Sequence, residues 1–290
     1  MNDYLISLVL GVIEGLTEFL PVSSTAHLRI AESLLGVDLS SSYWKMYTVV
    51  IQLGAILSVL AYFARRIIKF VSTFPRGERG DRTFINHPLS LAVLAFVVTA
   101  IPSFLLHKKI GDNLESLYIM GGSLLVGGVI MWVVDVVYTH PRTLQMEDMN
   151  IFQAMWIGLM QILSAVFPGT SRSMATIAAG QVAEMSRSAA LEFSFFLSIP
   201  TMLAATSFEL LKAVLPHRGP AGDALAPVVM DTQGWIVLGI GFVVSFVVAW
   251  AVIAGFMHWV RRHGFVPFAI YRMVLGSYVM FLAWKAAQPG

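Results

Sequence analysis

Two stretches of this chain carry more reactive side chains than an apolar protein needs for packing. In the first, Leu10 to His27 (LGVIEGLTEFLPVSSTAH), Glu14 and Glu18 stand four residues apart and so share one helical face. Ser23, Ser24, Thr25 and His27 follow within nine residues of Glu18. In the second, Ile157 to Ser173 (IGLMQILSAVFPGTSRS), the run Gly169, Thr170, Ser171, Arg172, Ser173 follows Pro168. Carboxylates, a hydroxyl, an imidazole and an arginine gathered around an anion describe phosphoryl transfer or hydrolysis. Glu14 and Glu18 would act as base or as ligands of a divalent metal, and the rest would stabilise charge. Ser24 is the preferred nucleophile and His27 its proton-transfer or phosphoryl-stabilising partner; the inverse assignment, with His27 attacking, is the close alternative.

Both stretches place hydroxyl residues just ahead of a new apolar run, the usual position of a helix N-cap. Helix N-termini there present unpaired N–H groups and the positive dipole end to an anion, and Arg172 adds a bidentate phosphate donor. The expected phosphate contacts are therefore Ser23, Thr25, Gly169, Thr170, Ser171, Arg172 and Ser173. Plainer accounts exist for each group. Glu14 and Glu18 could be structural glue satisfied by serine and threonine neighbours, Arg172 could pair with either of them, and a lone membrane histidine is more often structural than catalytic.

The elements that must position these residues follow from composition and from a repeat. The chain has 290 residues, 57% hydrophobic and only 12% charged, with mean hydropathy +0.75, which marks a polytopic membrane protein. A net charge of +2 does not imply nucleic acid, and the absence of cysteine excludes disulfides and thiolate chemistry. The N-terminus lacks a basic region and a cleavage site and reads as retained structure. Sliding the first stretch by 147 places Gly11 on Gly158, Leu16 on Leu163, Pro21 on Pro168 and Ser24 on Ser171, with Glu14 on Gln161. An ancient duplication explains this, with a first repeat over 1–145 and a second over 146–290.

The expected architecture is all-α, with two inverted-topology repeats, each a re-entrant helical hairpin followed by three transmembrane helices. The hairpins occupy 4–35 and 151–183. The crossings lie near 44–63, 89–106 and 117–138, then near 191–210, 236–253 and 264–285. Pro200 and Pro267 should kink or cap their helices. Three crossings between the hairpins invert the second, so both tips meet near the midplane. The loop at 64–87 holds six Lys or Arg and marks the cytoplasm. Arg261 and Arg262 are then cytoplasmic, and the termini and the loop at 213–233 exterior; Lys108 and Lys109 fall outside, against the rule. Asp135, Glu192, Glu209 and Arg272 read as structural partners, and Lys45 and Glu192 should not pair. The rival reading is a lipid-phosphate flippase or anion transporter, which uses the same architecture but needs no Ser24, His27 and Glu18 cluster. A structural scaffold explains neither the carboxylates nor the arginine.

GVIEGLTEFLPVSSTAH, VVIQLGA, PGTSRS with Thr176 after it, LEFSF and FVPFAIYR together resemble the undecaprenyl-diphosphate phosphatase family associated with bacitracin resistance. The resemblance covers essentially the whole chain, in order. It implies hydrolysis of an undecaprenyl diphosphate lipid to the monophosphate carrier and phosphate, in support of cell-wall synthesis at the bacterial inner (plasma) membrane. It also implies an exterior-facing site, a divalent cation such as calcium or magnesium, membrane lipids around the chain and a homodimer. The family's acidic pair falls on Glu14 and Glu18, its serine and histidine on Ser24 and His27, and its phosphate-binding arginine on Arg172, flanked by Ser171 and Ser173. Ala26 and Met174 stand where the family pattern has glycine, and Met174 adds bulk beside the phosphate-binding turn.

Overall fold

The computed structural model describes residues 2–38, 41–78, 80–106, 116–214, 217–218, 224–225 and 230–288. Six of its helices are long and apolar enough to cross a membrane. They are α3 (Ser42–Tyr62), α5 (Pro88–Leu105), α6 (Leu117–Val137), α9 (Arg187–Val214), α10 (Thr232–Val260) and α11 (Val266–Ala286). The protein is thus a multi-pass membrane protein. Four shorter helices come in two consecutive pairs, α1 (Asp3–Thr17) with α2 (Ser24–Leu34) and α7 (Ile151–Val166) with α8 (Arg172–Val182). Two two-residue strands, His217–Arg218 and Ala224–Leu225, pair between α9 and α10. Lys108 and Lys109, and most of the connection after α9, lie outside the described residues.

Local chemistry sets the helix starts. Asn2 and Asn150 cap α1 and α7, the latter through a full capping box with Gln153. Pro88 and Pro267 sit in the first turn of their helices, where a missing N–H is harmless, while Pro102 and Pro200 lie inside α5 and α9. The stretch at 64–87 contains a helix that its charge concealed: α4 (Ala64–Thr73) buries Phe70 while Arg65 and Lys69 stay exposed.

Packing brings the short helices against crossings. α1 and α3 pack on α10, α7 and α9 on α5, α3 on α9, and α6 on α11. Two glycines 147 residues apart permit two of these approaches. A Cβ on Gly11 would stand 2.8 Å from Gly241 O of α10, and one on Gly158 would stand 2.9 Å from Ala95 Cα of α5. Small residues at such crossings replace a hydrophobic drive that lipid does not supply.

Several charges toward the ends of the bundle are paired. Asp135 (1% exposed) accepts from Arg187 Nε at 2.7 Å and from Phe265 N at 2.8 Å. Arg66 bonds Glu147 at 2.5 Å and also pairs with Glu192. These groups, with Lys69, Arg82 and Arg261, line a cavity of about 780 Å3 at one end of the bundle. Glu209 is not free either. Lys45 is exposed, and Glu192 has Arg66 instead.

Candidate active site

α1 stops at Thr17, so Glu18 is its C-cap and stands at the mouth of the turn. The chain then reverses through Pro21 and enters α2 at Ser23, which has φ 73° and accepts from Ala26 N through its own hydroxyl. The second turn repeats this device. Ser171 has φ 68° and accepts from Met174 N, after Gly169 at φ 93°. A serine in the left-handed region costs about 1–3 kcal/mol, which the surrounding packing must offset. Both strained residues sit where a helix N-terminus is aimed.

The caps correct the register expected from a constant offset. The spacing of 147 holds up to Pro21 and Pro168, but Ser24 follows its proline by three positions and Arg172 by four. Gly169 takes up the extra residue with a backbone angle that only glycine adopts freely. Ser171 therefore matches Ser23 as N-cap, and Arg172 matches Ser24 as first helical residue.

Those two first residues meet on one carboxylate. Ser24 Oγ donates to Glu18 Oε2 at 2.6 Å, and Arg172 Nη2 donates to Glu18 Oε1 at 3.3 Å. The arginine was expected either to bind an anion or to pair with a glutamate, and here it holds Glu18. Arg172 Nη1 also donates to Ser194 O at 3.1 Å, and its guanidinium lies 6.0 Å from the Phe19 ring centroid. Its Nε is buried without a partner, as are both oxygens of Glu14. Glu14 is wholly buried, and its charged neighbours are Glu18 and Arg172. Two carboxyls thus face one guanidinium, an excess of negative charge that calls for a proton or a cation.

The other expected residues divide. Ser173 Oγ donates to Leu20 O at 2.9 Å and lies 3.0 Å from Ser171 Oγ, which ties the second turn to the first. Gly169 and Thr170 are buried beside them. Thr25 is exposed, because the second helical position points it away from the buried cluster. His27 is close to Ser24 in sequence but does not bond it: Nδ1 lies 2.7 Å from Ser23 O and Nε2 lies 2.7 Å from Tyr271 Oη. Ser24 finds its proton acceptor in Glu18 instead. Met174 leaves the turn undisturbed, since its side chain packs into the apolar core while its N–H serves the Ser171 cap.

Sequence reasoning missed what holds the two turns together. Arg272 is fully buried and donates to Pro21 O at 3.2 Å, to Gly169 O at 3.0 Å and to Ser123 O at 3.2 Å. One guanidinium therefore grips both turns and α6. An arginine seven residues into a span signals a buried role, but its partners are carbonyls, which carry no sequence signature. The same holds for Ser194, whose carbonyl steadies Arg172 and whose Oγ lies 2.7 Å from Thr176 Oγ1.

An undecaprenyl-diphosphatase of Koribacter versatilis is 60% identical over 285 residues, 98% of this chain and 99% of that one. One from Novosphingobium aromaticivorans is 41% identical, covering 99% and 100%, and one from Caldanaerobacter subterraneus is 38% identical, covering 94% of each. The family model described as bacitracin resistance protein BacA matches residues 7–278, and the chain belongs to that family.

Proposed function

We propose that this chain is an undecaprenyl-diphosphate phosphatase, which hydrolyses undecaprenyl diphosphate to undecaprenyl phosphate and inorganic phosphate and so confers bacitracin resistance. The observation that carries the reading is Glu18, held between a hydroxyl from one turn and a guanidinium from the other. The terminal phosphate takes the place of Glu18 on Arg172 and the two helix N-termini, with Ser23, Gly169, Thr170, Ser171 and Ser173 shaping the cradle. Ser24 Oγ passes its proton to Glu18 and bonds the terminal phosphorus as the bridging P–O bond breaks, and undecaprenyl phosphate leaves. Glu18 gives that proton to the departing phosphate oxygen, and water then cleaves the phosphoserine: Glu18 takes the water's proton as the Oγ–P bond breaks and returns it to Ser24 Oγ. The apolar groove of about 610 Å3 between α6, α7 and α8 reaches Thr170 and Met174 and suits the isoprenoid tail.

Calcium or magnesium is the proposed cofactor, with Glu14 and Glu18 as its protein ligands. The orphaned oxygens of Glu14 beside Glu18 fit an oxygen-seeking cation. Bound there, the ion would neutralise charge on the diphosphate.

The two short helix pairs are read as re-entrant hairpins of two inverted repeats, 1–145 and 146–290. Support comes from their lengths and from a packing pattern that survives exchange of the halves: α1 on α10 mirrors α7 on α5. The cations Arg65, Arg66, Lys69, Arg82 and Arg261 gather at one end, which favours that end as cytoplasmic and an inner-membrane site opening outward. The family resemblance adds a homodimer, checked by light scattering of the detergent-solubilised protein.

The decisive experiment is phosphate release from a long-chain prenyl diphosphate by purified protein, with and without divalent cation. Cation-dependent release that Arg172→Ala abolishes is the expected result. Folded protein that binds the lipid phosphate but releases nothing would instead be a flippase or anion transporter.

A further inference from the structure

His27 is held at both nitrogens, and the two bonds differ in kind. Nδ1 lies 2.7 Å from the carbonyl oxygen of Ser23, and a carbonyl can only accept, so Nδ1 carries a proton. In the neutral ring Nε2 is then the nitrogen with the free lone pair. That lone pair points at Tyr271, whose hydroxyl is 2.7 Å away and whose ring stacks on the imidazole at 5.6 Å and 10°. Ser23 is itself fixed by its capping bond and its strained φ of 73°, so the carbonyl that orients His27 is not free to swing.

The two partners also differ in exposure. Ser23 is buried, whereas Tyr271 is 46% exposed on α11. Its neighbour Arg272 is the fully buried guanidinium that grips both turns. α11 therefore anchors the site rigidly through one residue and meets its imidazole through a side chain that can rotate outward.

We propose that Tyr271 is a positioning residue for His27: its hydroxyl holds the imidazole with Nε2 unprotonated and covers that nitrogen until substrate displaces it. This rests on the phosphatase reading, with His27 in the role drawn for it from the sequence, as proton-transfer or phosphoryl-stabilising partner at the phosphate. The ring stack alone would orient the imidazole plane; the hydroxyl selects which edge the substrate finds and keeps it ready to accept a proton.

Tyr271→Phe tests this, because it keeps the stack and removes only the hydroxyl. Two measurements are made on the same folded protein in detergent. The first is site-resolved modification by diethyl pyrocarbonate, which transfers an ethoxycarbonyl group to an unprotonated imidazole nitrogen with loss of ethanol and carbon dioxide. His27 is followed by mass spectrometry, with the exposed His258 as internal standard. The second is kcat and KM for prenyl diphosphate hydrolysis. A hydrogen bond of ordinary strength gives about a fivefold faster modification of His27 and a five- to tenfold lower kcat, with KM and His258 unchanged. Unchanged labelling with reduced kcat would mean that the hydroxyl acts on the substrate and not through His27. Faster labelling with full kcat would mean that it only shields the ring. Either result overturns the proposal, whereas loss of the phosphatase reading would show as an inactive wild-type protein whose His27 labelling still responds to the variant.

Discussion

Replacing Arg272 with methionine should damage catalysis more than stability, and the magnitudes show why. The guanidinium makes three hydrogen bonds to carbonyls of Pro21, Gly169 and Ser123, at 3.0–3.2 Å, in a site with no exposure. Methionine fills much of the volume but leaves the carbonyls of Pro21 and Gly169 without this donor, at about 1–3 kcal/mol each, or roughly 2–6 kcal/mol together, while Ser123 O keeps its bond within α6. Against this, a buried cation with no carboxylate against it carries a desolvation penalty of several kcal/mol, which the substitution relieves. The net loss of stability is then at most about 2–4 kcal/mol, small enough for the protein to fold. The turns that Arg272 joined carry Ser24 and Arg172, and a slip of about 1 Å between reacting groups lowers the rate on the order of 100-fold. The assay is phosphate release well below the melting temperature of the variant, beside thermal unfolding in the same detergent. Arg272→Lys, which keeps the charge but loses the fork, should fall between the two. A folded Arg272→Met protein with wild-type kcat would refute the idea that this residue aligns the two turns.

Three further outcomes follow from the geometry. Glu18→Gln leaves a side chain of the same shape that cannot take a proton from Ser24, so kcat should drop by about 10²–10⁴-fold while the melting temperature barely moves; retained turnover would remove Glu18 from the proton path. Met174→Gly should lower stability by about 3–5 kcal/mol, since it empties a 3% exposed core position and adds a helical glycine, yet leave the rate per folded molecule within a few-fold. A large kcat defect there would mean that the turn depends on Met174 after all. Arg66→Ala strips the shared partner from Glu147 and Glu192. Both Arg66 and Glu147 are about a third exposed, so solvent screening limits the loss to about 1–3 kcal/mol, read by calorimetry, with kcat intact.

The membrane class and all six crossings were legible because apolar length and proline placement are local properties. The helices differ from the expected crossings mostly at their ends, where α9 starts earlier, at the polar Arg187, and α10 runs on to Val260. α4 was hidden for the opposite reason: Arg65, Arg66 and Lys69 swamp the apolar stripe that buries Phe70. At the site, Glu14, Glu18, Ser24 and Arg172 were legible as chemistry, since each is expensive to bury without a task. Their partners were less so. Ser24 and His27 are one helical turn apart and looked like a pair, but spacing along a helix does not say which way a hydroxyl turns. Contacts made through carbonyls, as by Arg272 and Arg172, leave no trace in side-chain identity.

On the duplication and the site proposed above, the single-residue difference between the turns bears on how two similar halves can come to hold one catalytic site. Two tips built alike would deliver the same groups to one small, poorly solvated space, and like charges facing each other there repel. Here the acids lie in one half only. The position 147 beyond Glu14 is Gln161, a neutral amide that donates to Thr99 and Thr201, and the position 147 beyond Glu18 is Ala165. The other half supplies the cation, and Gly169 shifts its turn by one residue so that Arg172, rather than Ser171, occupies the place that Ser24 holds in its own turn. Glu18 can then be reached from both sides, by a nucleophile from one turn and a phosphate-binding cation from the other. A near-symmetric frame supplies two helix N-termini aimed at a common point, and the departures from symmetry at 14, 18, 169 and 172 turn that anion-binding geometry into one that can break a phosphoanhydride.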